Sequence, residues 1–332
     1  MEAYIQKAVN HFLDGEAILI EKHEGENNII WIIDIDMNKY VLRENKVNVS
    51  KEQLLFEARF LEELNKMDLP LKVPQIMKTK DGKLFLDFEG RAFTLYKYIE
   101  GKKRYEWSSS NIPEEDVEKA YEILAKMHNA YSKISIDRND EKPNVIDMLD
   151  AFYENLLRVK APKGEYASFL EQNKAFIAET IRNVKTRLIS LGYANLPEYP
   201  VQVDFHLGNI IWKGKEMVGL IDFDWSQYST LEWDFCKSCK MICGNFKHSG
   251  ESNEFDRRKL ALALKTYNKY AERKLANIPL LQELLKFSSL FLINWSLEWF
   301  TKNKDKEEYY LSFLQAGVER LRNSKDDFFL AA

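Results

Sequence analysis

The strongest constraint on this chain lies in residues 203–209, Val-Asp-Phe-His-Leu-Gly-Asn, taken with residues 221–224, Ile-Asp-Phe-Asp. Asp204 precedes Asn209 by five positions, and Asp222 follows Asn209 by thirteen. Between the two clusters run Ile210-Ile211-Trp212, the polar stretch Lys213-Gly214-Lys215-Glu216, and Met217-Val218-Gly219-Leu220-Ile221. Two short apolar runs around a glycine-bearing polar stretch read as strand, tight turn, strand. The hairpin then carries Asp204 and Asn209 on the loop before its first strand and Asp222 at the end of its second. Phosphoryl transfer from ATP needs such a set. One carboxylate orients an attacking hydroxyl and accepts its proton; an amide and a second carboxylate hold Mg²⁺ on the phosphates.

These residues resemble the catalytic-loop and metal-loop pair of the aminoglycoside phosphotransferase and homoserine kinase type II-like family, whose members often read D-x-H-x-G-N and then I-D-[FW]-[DE]. It is the Asp, Asn, Asp arrangement of protein kinases without the usual D-F-G. The resemblance implies an α+β, bilobal, protein-kinase-like fold. A small antiparallel β lobe, residues 1–100, would bind nucleotide. A larger, mainly helical lobe, residues 101–332, would carry the catalytic and metal loops and the acceptor site. Asp204 is then the catalytic base, and Asn209 and Asp222 are the metal ligands. One departure stands out: the family usually places His-Gly before the catalytic Asp, and this chain has Gln202 and Val203. The histidine normally helps tether the metal loop; Gln202 has a side-chain amide able to donate instead.

The rest of the chain fits that frame. Residues 1–13 suggest a short helix, and residues 17–22, 29–35 and 40–43 read as three strands rich in β-branched residues. The turn at Gly25 sits where a phosphate-covering loop belongs. Arg43 ends the third strand where the family places a phosphate-contacting basic residue, and a guanidinium grips phosphate in a forked manner. Residues 54–64 have apolar positions at helical spacing, and Glu57 there is the expected partner of Arg43. Residues 83–88 are expected to form a hairpin with the preceding connection across Asp81-Gly82. Residues 93–101 look like the last small-lobe strand and the hinge, so Tyr96 and Tyr98 are candidate nucleotide contacts through their backbone. His128 falls on an apolar helical stripe and matches a structural family position. Asp234 matches the Asp that opens the next helix, where Asp is a good N-cap. Residues 256–324 read as mostly helical.

Composition narrows the function classes. The net charge is −4 over 332 residues, which does not point to nucleic acid or a polybasic membrane contact. No apolar run is long enough to span a bilayer, and the N-terminus lacks a signal-peptide layout, so the expected location is cytoplasmic. The three cysteines, Cys236, Cys239 and Cys243, have a spacing that invites a metal reading with His248 as the one further ligand. The helical character of residues 231–242 favours a buried cysteine face instead.

The expected activity is an ATP- and Mg²⁺-dependent phosphotransferase acting on a hydroxyl of a small molecule. The resemblance allows a homoserine-like amino alcohol, an amino sugar or an aminoglycoside. Asp224, Trp225, Glu298 and Trp299 are candidate acceptor contacts, since Trp faces stack on sugars or take cations. The other reading is a kinase-like binding or structural protein without turnover, of the spore-coat type; phosphoryl transfer with and without Mg²⁺ separates the two.

Overall fold

Helix α1 (Ala3–Asn10) leads into three antiparallel strands, β1 (Ile18–Glu24), β2 (Asn28–Ile35) and β3 (Asn38–Asn45). The structure, a computed structural model, describes the chain apart from residues 1, 26–27, 46–48, 108, 110, 139–141, 160–162, 245–253, 325–328 and 330–332. Strand β2 buries Trp31, Ile33 and Ile35 on one face, as a period of two requires. Helix α2 (Lys51–Leu64) is capped by the Ser50 hydroxyl, which accepts from the Gln53 amide. Strands β4 (Ile76–Met77), β5 (Leu86–Phe88) and β6 (Arg91–Lys97) complete the sheet in the order β1-β2-β3-β6-β4, with β5 also on β6.

One expected pairing is corrected here. Residues 83–88 do not pair backwards across Asp81-Gly82. Strand β5 pairs forward, with Leu86 opposite Phe93 and Phe88 opposite Arg91. The turn is Glu89-Gly90, with φ of 51° and 74°, and two consecutive left-handed residues suit a two-residue hairpin. Asp81-Gly82 closes only a local turn, in which the Gly82 amide donates to the Thr79 carbonyl at 2.8 Å.

The larger part comprises β7 (Lys102–Lys103), α3 (Glu114–Tyr131), α4 (Val145–Arg158), α5 (Glu165–Ser190), β8 (Tyr199–Val201), β9 (Ile210–Lys213), β10 (Glu216–Leu220), β11 (Gln227–Ser229), α6 (Leu231–Ile242), α7 (Arg257–Tyr270), α8 (Ile278–Lys302) and α9 (Glu307–Arg322). The β9–β10 hairpin expected from the sequence is present, with Lys213 opposite Glu216. The two larger apolar clusters among the described residues hold the fold. In one, Ile5, Ala8 and Val9 of α1 meet Trp31, Leu42, Phe93 and Leu95. The other runs through the helices but also takes Phe60, Leu61 and Leu64 of α2. Helix α2 therefore lies on the junction. Two further ties bind it there: Gln53 Nε2 donates to the Ser226 carbonyl at 2.9 Å, and Lys72 exchanges backbone hydrogen bonds with Val218 and Leu220 at 3.1 and 2.8 Å.

All twelve residues of α6 are buried. Cys236 and Cys239 lie on it and Cys243 is its C-cap. The Tyr121 hydroxyl donates to Cys239 Sγ at 3.3 Å, and the Cys236 thiol donates to the Leu281 carbonyl at 3.5 Å. Burial pushes the Cys236 and Cys239 thiols well up, away from the thiolate that ligates metal. His248 lies outside the described residues. A strong chelator should therefore leave the melting temperature unchanged, and elemental analysis of the nucleotide-free protein should find no stoichiometric zinc or iron.

Candidate active site

Two loops meet at the mouth of the β9–β10 hairpin. Asp204 precedes a single 3₁₀ turn, Leu207–Asn209, and Asp222 follows β10 directly. Both loops contain left-handed residues that are not glycine: Val203 at φ 58° and Asp222 at φ 65°. Such conformations cost of order 1–3 kcal/mol and persist where the surroundings dictate them. The penalty is greatest for a β-branched residue such as Val203. Here the Val203 side chain is buried in the larger core, which offsets the strain.

Gln202 does the tethering. Its Nε2 donates to the carbonyls of Ile221 and Asp222 at 2.9 and 2.7 Å. The Ile221 amide in turn donates to the Asn209 carbonyl at 2.9 Å. The two loops thus form one hydrogen-bonded unit. Gln202→Leu removes the donor for both carbonyls at a buried site, so it should cost about 1–3 kcal/mol. Thermal unfolding and ATP titration should register the loss together.

Around Asp204 the partners are specific. Asn209 Nδ2 donates to the Asp204 backbone oxygen at 3.0 Å and to Oδ2 at 3.1 Å. His206 Nε2 lies 3.4 Å from Oδ2, and Lys237 Nζ lies 3.5 Å from Oδ1. Burial works to raise the Asp204 carboxyl, but Lys237 and His206 outweigh it and hold the group well below the usual carboxylate range. Gly208 lets the loop pass close to its neighbour: a Cβ there would sit 2.8 Å from the Trp107 nitrogen.

His128 Nε2 lies 3.0 Å from Asp234 Oδ2, and Nδ1 lies 2.7 Å from the Tyr267 hydroxyl, all of them buried. His128 is thus packed and bonded within the core. The expected capping role of Asp234 is corrected: Thr230 is the N-cap of α6, accepting from the Trp233 amide at 3.1 Å. Asp234 lies inside the helix and faces His128.

On the small-lobe side, Arg43 and Glu57 form a forked pair, Nη1 to Oε1 at 2.8 Å and Nη2 to Oε2 at 2.7 Å. Both side chains are buried, and the Tyr96 hydroxyl donates to Glu57 Oε1 at 3.1 Å. Glu57→Ala would strand a buried guanidinium, which costs about 3–5 kcal/mol; the expected result is a marked fall in melting temperature. The Tyr98 amide already donates to the Lys39 carbonyl at 3.2 Å, and the Lys97 amide to Gln75 at 2.9 Å.

Asp222 opens onto the cleft. Its carboxyl is pushed well up, first by desolvation and then by Asp224 and Asp204. Asp224 stands between the lobes: Asn28 Nδ2 donates to its Oδ2 at 3.3 Å, and Lys142 Nζ donates to its carbonyl at 2.7 Å. Two polar atoms here have no hydrogen-bond partner among the described residues, Arg43 Nε and Asp224 Oδ1. An unpaired cationic donor beside unneutralised carboxylates fits a phosphate chain held by a divalent cation. With Asn209 Nδ2 committed to Asp204, Asn209 Oδ1 and the Asp222 carboxylate could serve as donors to such a cation, a set of the kind Mg²⁺ takes when phosphates complete its shell.

The acceptor candidates separate. Trp225 joins the site through Lys237, whose Nζ lies 4.5 Å from its ring centroid. Trp225 also packs edge-on against Phe291 of α8 at 6.0 Å. Glu298 is exposed and accepts from Asn294 Nδ2 at 2.8 Å. It lies two turns beyond Phe291 on α8, about 10 Å along the axis at 1.5 Å per residue. Trp299 packs on Trp295 at 6.4 Å. No described contact joins either to Asp204. Sequence reading passed over Asn28, Gln53, Lys142, Lys237 and Lys240. The one signal for the last two was a pair of lysines spaced by three in the second half of a helix whose remaining residues there are apolar, Cys or Ser.

A base, an amide and a carboxylate on adjoining loops, beneath a sheet with a buried Arg–Glu pair, define a kinase-like phosphotransferase. The chain belongs to the phosphotransferase enzyme family (APH), whose family model matches residues 21–273. It is 24% identical over 220 residues to a homoserine kinase of Zymomonas mobilis subsp. mobilis, covering 66% of this chain and 63% of that enzyme. The match thus spans less than two thirds of that relative. A homoserine kinase of Bartonella tribocorum is 22% identical over 85% of this chain and 81% of its own length. Among solved structures, an amicoumacin kinase in complex with AMP-PNP, Ca²⁺ and Ami superposes with a TM-score of 0.72 at 14% identity, covering 100% of this chain and 97% of the other. A microcompartment-associated aminopropanol kinase gives 0.71 at 15%, covering 95% and 94%. The bilobal kinase-like fold expected from the sequence is therefore the fold observed.

Proposed function

We propose that the protein transfers the γ-phosphoryl group of ATP, with Mg²⁺, to a hydroxyl of a small molecule, and that a homoserine-like amino alcohol is the first acceptor class to test. One observation carries this reading: Asp204, Asn209 and Asp222 are tied into a single unit by Gln202, Ile221 and the Asn209–Asp204 hydrogen bonds. Catalysis then rests on positioning and charge. Asp204, ionised beside Lys237, orients the acceptor hydroxyl and takes its proton as the new P–O bond forms and the bond to the ADP oxygen breaks. Asn209 and Asp222 would hold the cation, which would supply charge neutralisation on the phosphates. Arg43, fixed by Glu57, has Nε left to donate to a phosphate oxygen. The strand containing Tyr96, and the segment through Tyr98, would present backbone to the adenine edge; with the Tyr98 amide already engaged, the donor falls to a later residue. Asp224 is better placed for the metal and nucleotide side than for the acceptor.

The homoserine kinase relatives and the aminopropanol kinase neighbour support amino alcohols ahead of aminoglycosides. The test is ADP release from ATP with L-homoserine, 3-aminopropan-1-ol, amino sugars and aminoglycosides, each with Mg²⁺ and with EDTA. Mg²⁺-dependent, acceptor-dependent release is expected. Nucleotide binding without turnover on any acceptor would instead favour the binding-protein reading.

A further inference from the structure

Lys237 and Lys240 lie three residues apart on one face of α6, and both side chains are buried. Lys237 Nζ is 3.5 Å from Asp204 Oδ1 and 5.2 Å from the Phe291 ring centroid. Lys240 Nζ is 5.3 Å from the same ring. The charged groups that act on Lys240 are Lys237, Asp204 and Arg320. Cations therefore outnumber the one carboxylate, and Lys240 has no ion-pair partner among the described residues. Taking an ammonium out of water without a counter-charge costs several kcal/mol. A ring face returns only about 0.5–2 kcal/mol of that. The strain shows in the group itself: burial, then the Lys237 charge, pushes the Lys240 ammonium down to about 7.

We propose that Lys240, with Lys237 beside it, is the seat of an anionic group of the acceptor, a carboxylate in the first instance, so that the acceptor is a hydroxy acid or a hydroxy amino acid. The inference rests on the phosphotransferase reading above and gives its substrate class. The placement suits the reaction. Lys237 bridges the two halves, touching the base at one end of the site and sharing Phe291 with Lys240 at the other. Lys240 and Asp204 are near enough to act on each other's charge, so an acid anchored on Lys240 would bring its hydroxyl toward Asp204. Trp225, edge-on to Phe291, walls the same space. A purely cationic acceptor would meet like charge here, which disfavours the wrong partner.

L-homoserine divides into two half-molecules that isolate the effect: 4-hydroxybutyrate keeps the carboxylate, and 3-aminopropan-1-ol keeps the amine. With the full chain and MgATP, 4-hydroxybutyrate should give a kcat/KM at least about 10-fold above 3-aminopropan-1-ol, the scale of one charge-assisted hydrogen bond. Lys240→Met and Lys240→Gln should each raise KM for 4-hydroxybutyrate about 10–100-fold, shift KM for 3-aminopropan-1-ol little, and abolish the preference for the acid. Calorimetric titration of both half-molecules into the protein holding a non-hydrolysable ATP analogue reads binding apart from turnover. If neither is phosphorylated, yet 4-hydroxybutyrate binds and Lys240→Gln removes that binding, the anion site stands and the kinase reading falls. Equal or better use of 3-aminopropan-1-ol by the unaltered protein overturns the proposal and leaves the kinase reading intact. So does an acid preference that survives in folded Lys240 variants. Absence of both turnover and binding of 4-hydroxybutyrate overturns it as well.

Discussion

Asp204→Asn should lower phosphoryl transfer by ~10²–10⁴-fold, the usual scale for loss of a general base, with ATP affinity nearly unchanged. The amide keeps the shape and can still meet Asn209, but it cannot take the hydroxyl proton. Acceptor-dependent ADP release, measured beside calorimetric ATP binding, separates the two effects. Retention of more than roughly a tenth of the wild-type rate would remove Asp204 from the base position. The pH dependence follows from its surroundings. Lys237 and His206 hold the Asp204 carboxyl well below the ordinary range despite its burial. A depressed carboxyl stays ionised as pH falls, so its pairing stabilises the fold above the unfolded value of about 3.9 and is lost only as pH drops through the lower folded value. The acid limb of the rate profile above about pH 5 should therefore not belong to Asp204. Lys237→Met should raise the Asp204 carboxyl and so bring its own, lower limb upward.

Asp222→Ala should abolish Mg²⁺-dependent ATP binding, the second large effect. Asp222 is the carboxylate that opens onto the cleft, and its charge is already resisted by desolvation and by Asp224 and Asp204. Arg43 relieves that crowding in part, and a divalent cation would relieve more of it. Asn209→Ala should weaken binding less, because an amide brings no charge. Titration of ATP with and without Mg²⁺ decides the matter: a variant at Asp222 that keeps the full Mg²⁺ dependence would take the metal role away from this residue.

Local chain geometry made the centre of this protein legible before any coordinates. A hairpin of four- and five-residue strands with a glycine turn is a short-range object, so Asp204, Asn209 and Asp222 could be placed on it by counting. The bounds of α6 followed from helical spacing, and the bidentate Arg43–Glu57 pair followed from the family resemblance. Gln202 was expected to replace a tethering histidine because its amide is a donor, and it makes two such bonds.

What remained belongs to through-space packing. Strand β5 had turn residues available on either side, and only the sheet decided that it pairs forward onto β6. Thr230 and Asp234 were both acceptable caps by type; the cap fell to Thr230 because His128, 106 residues away in sequence, holds Asp234 inside the core. Asn28 reaches Asp224 across 196 residues, and no periodicity encodes such a contact. Lys237 and Lys240 read as two ordinary helix lysines until α8 brought Phe291 against them and the catalytic loop set Asp204 beside the first. Glu298 and Trp299 had the right chemistry for an acceptor wall, but the axial rise of α8 carries them away from Phe291. The sequence by itself determined which residues gather at the head of one hairpin, because Asp204, Asn209 and Asp222 fall within nineteen consecutive residues. Tertiary structure alone decided which charges surround them, because a side chain's electrostatic environment is set by whichever distant elements pack against it.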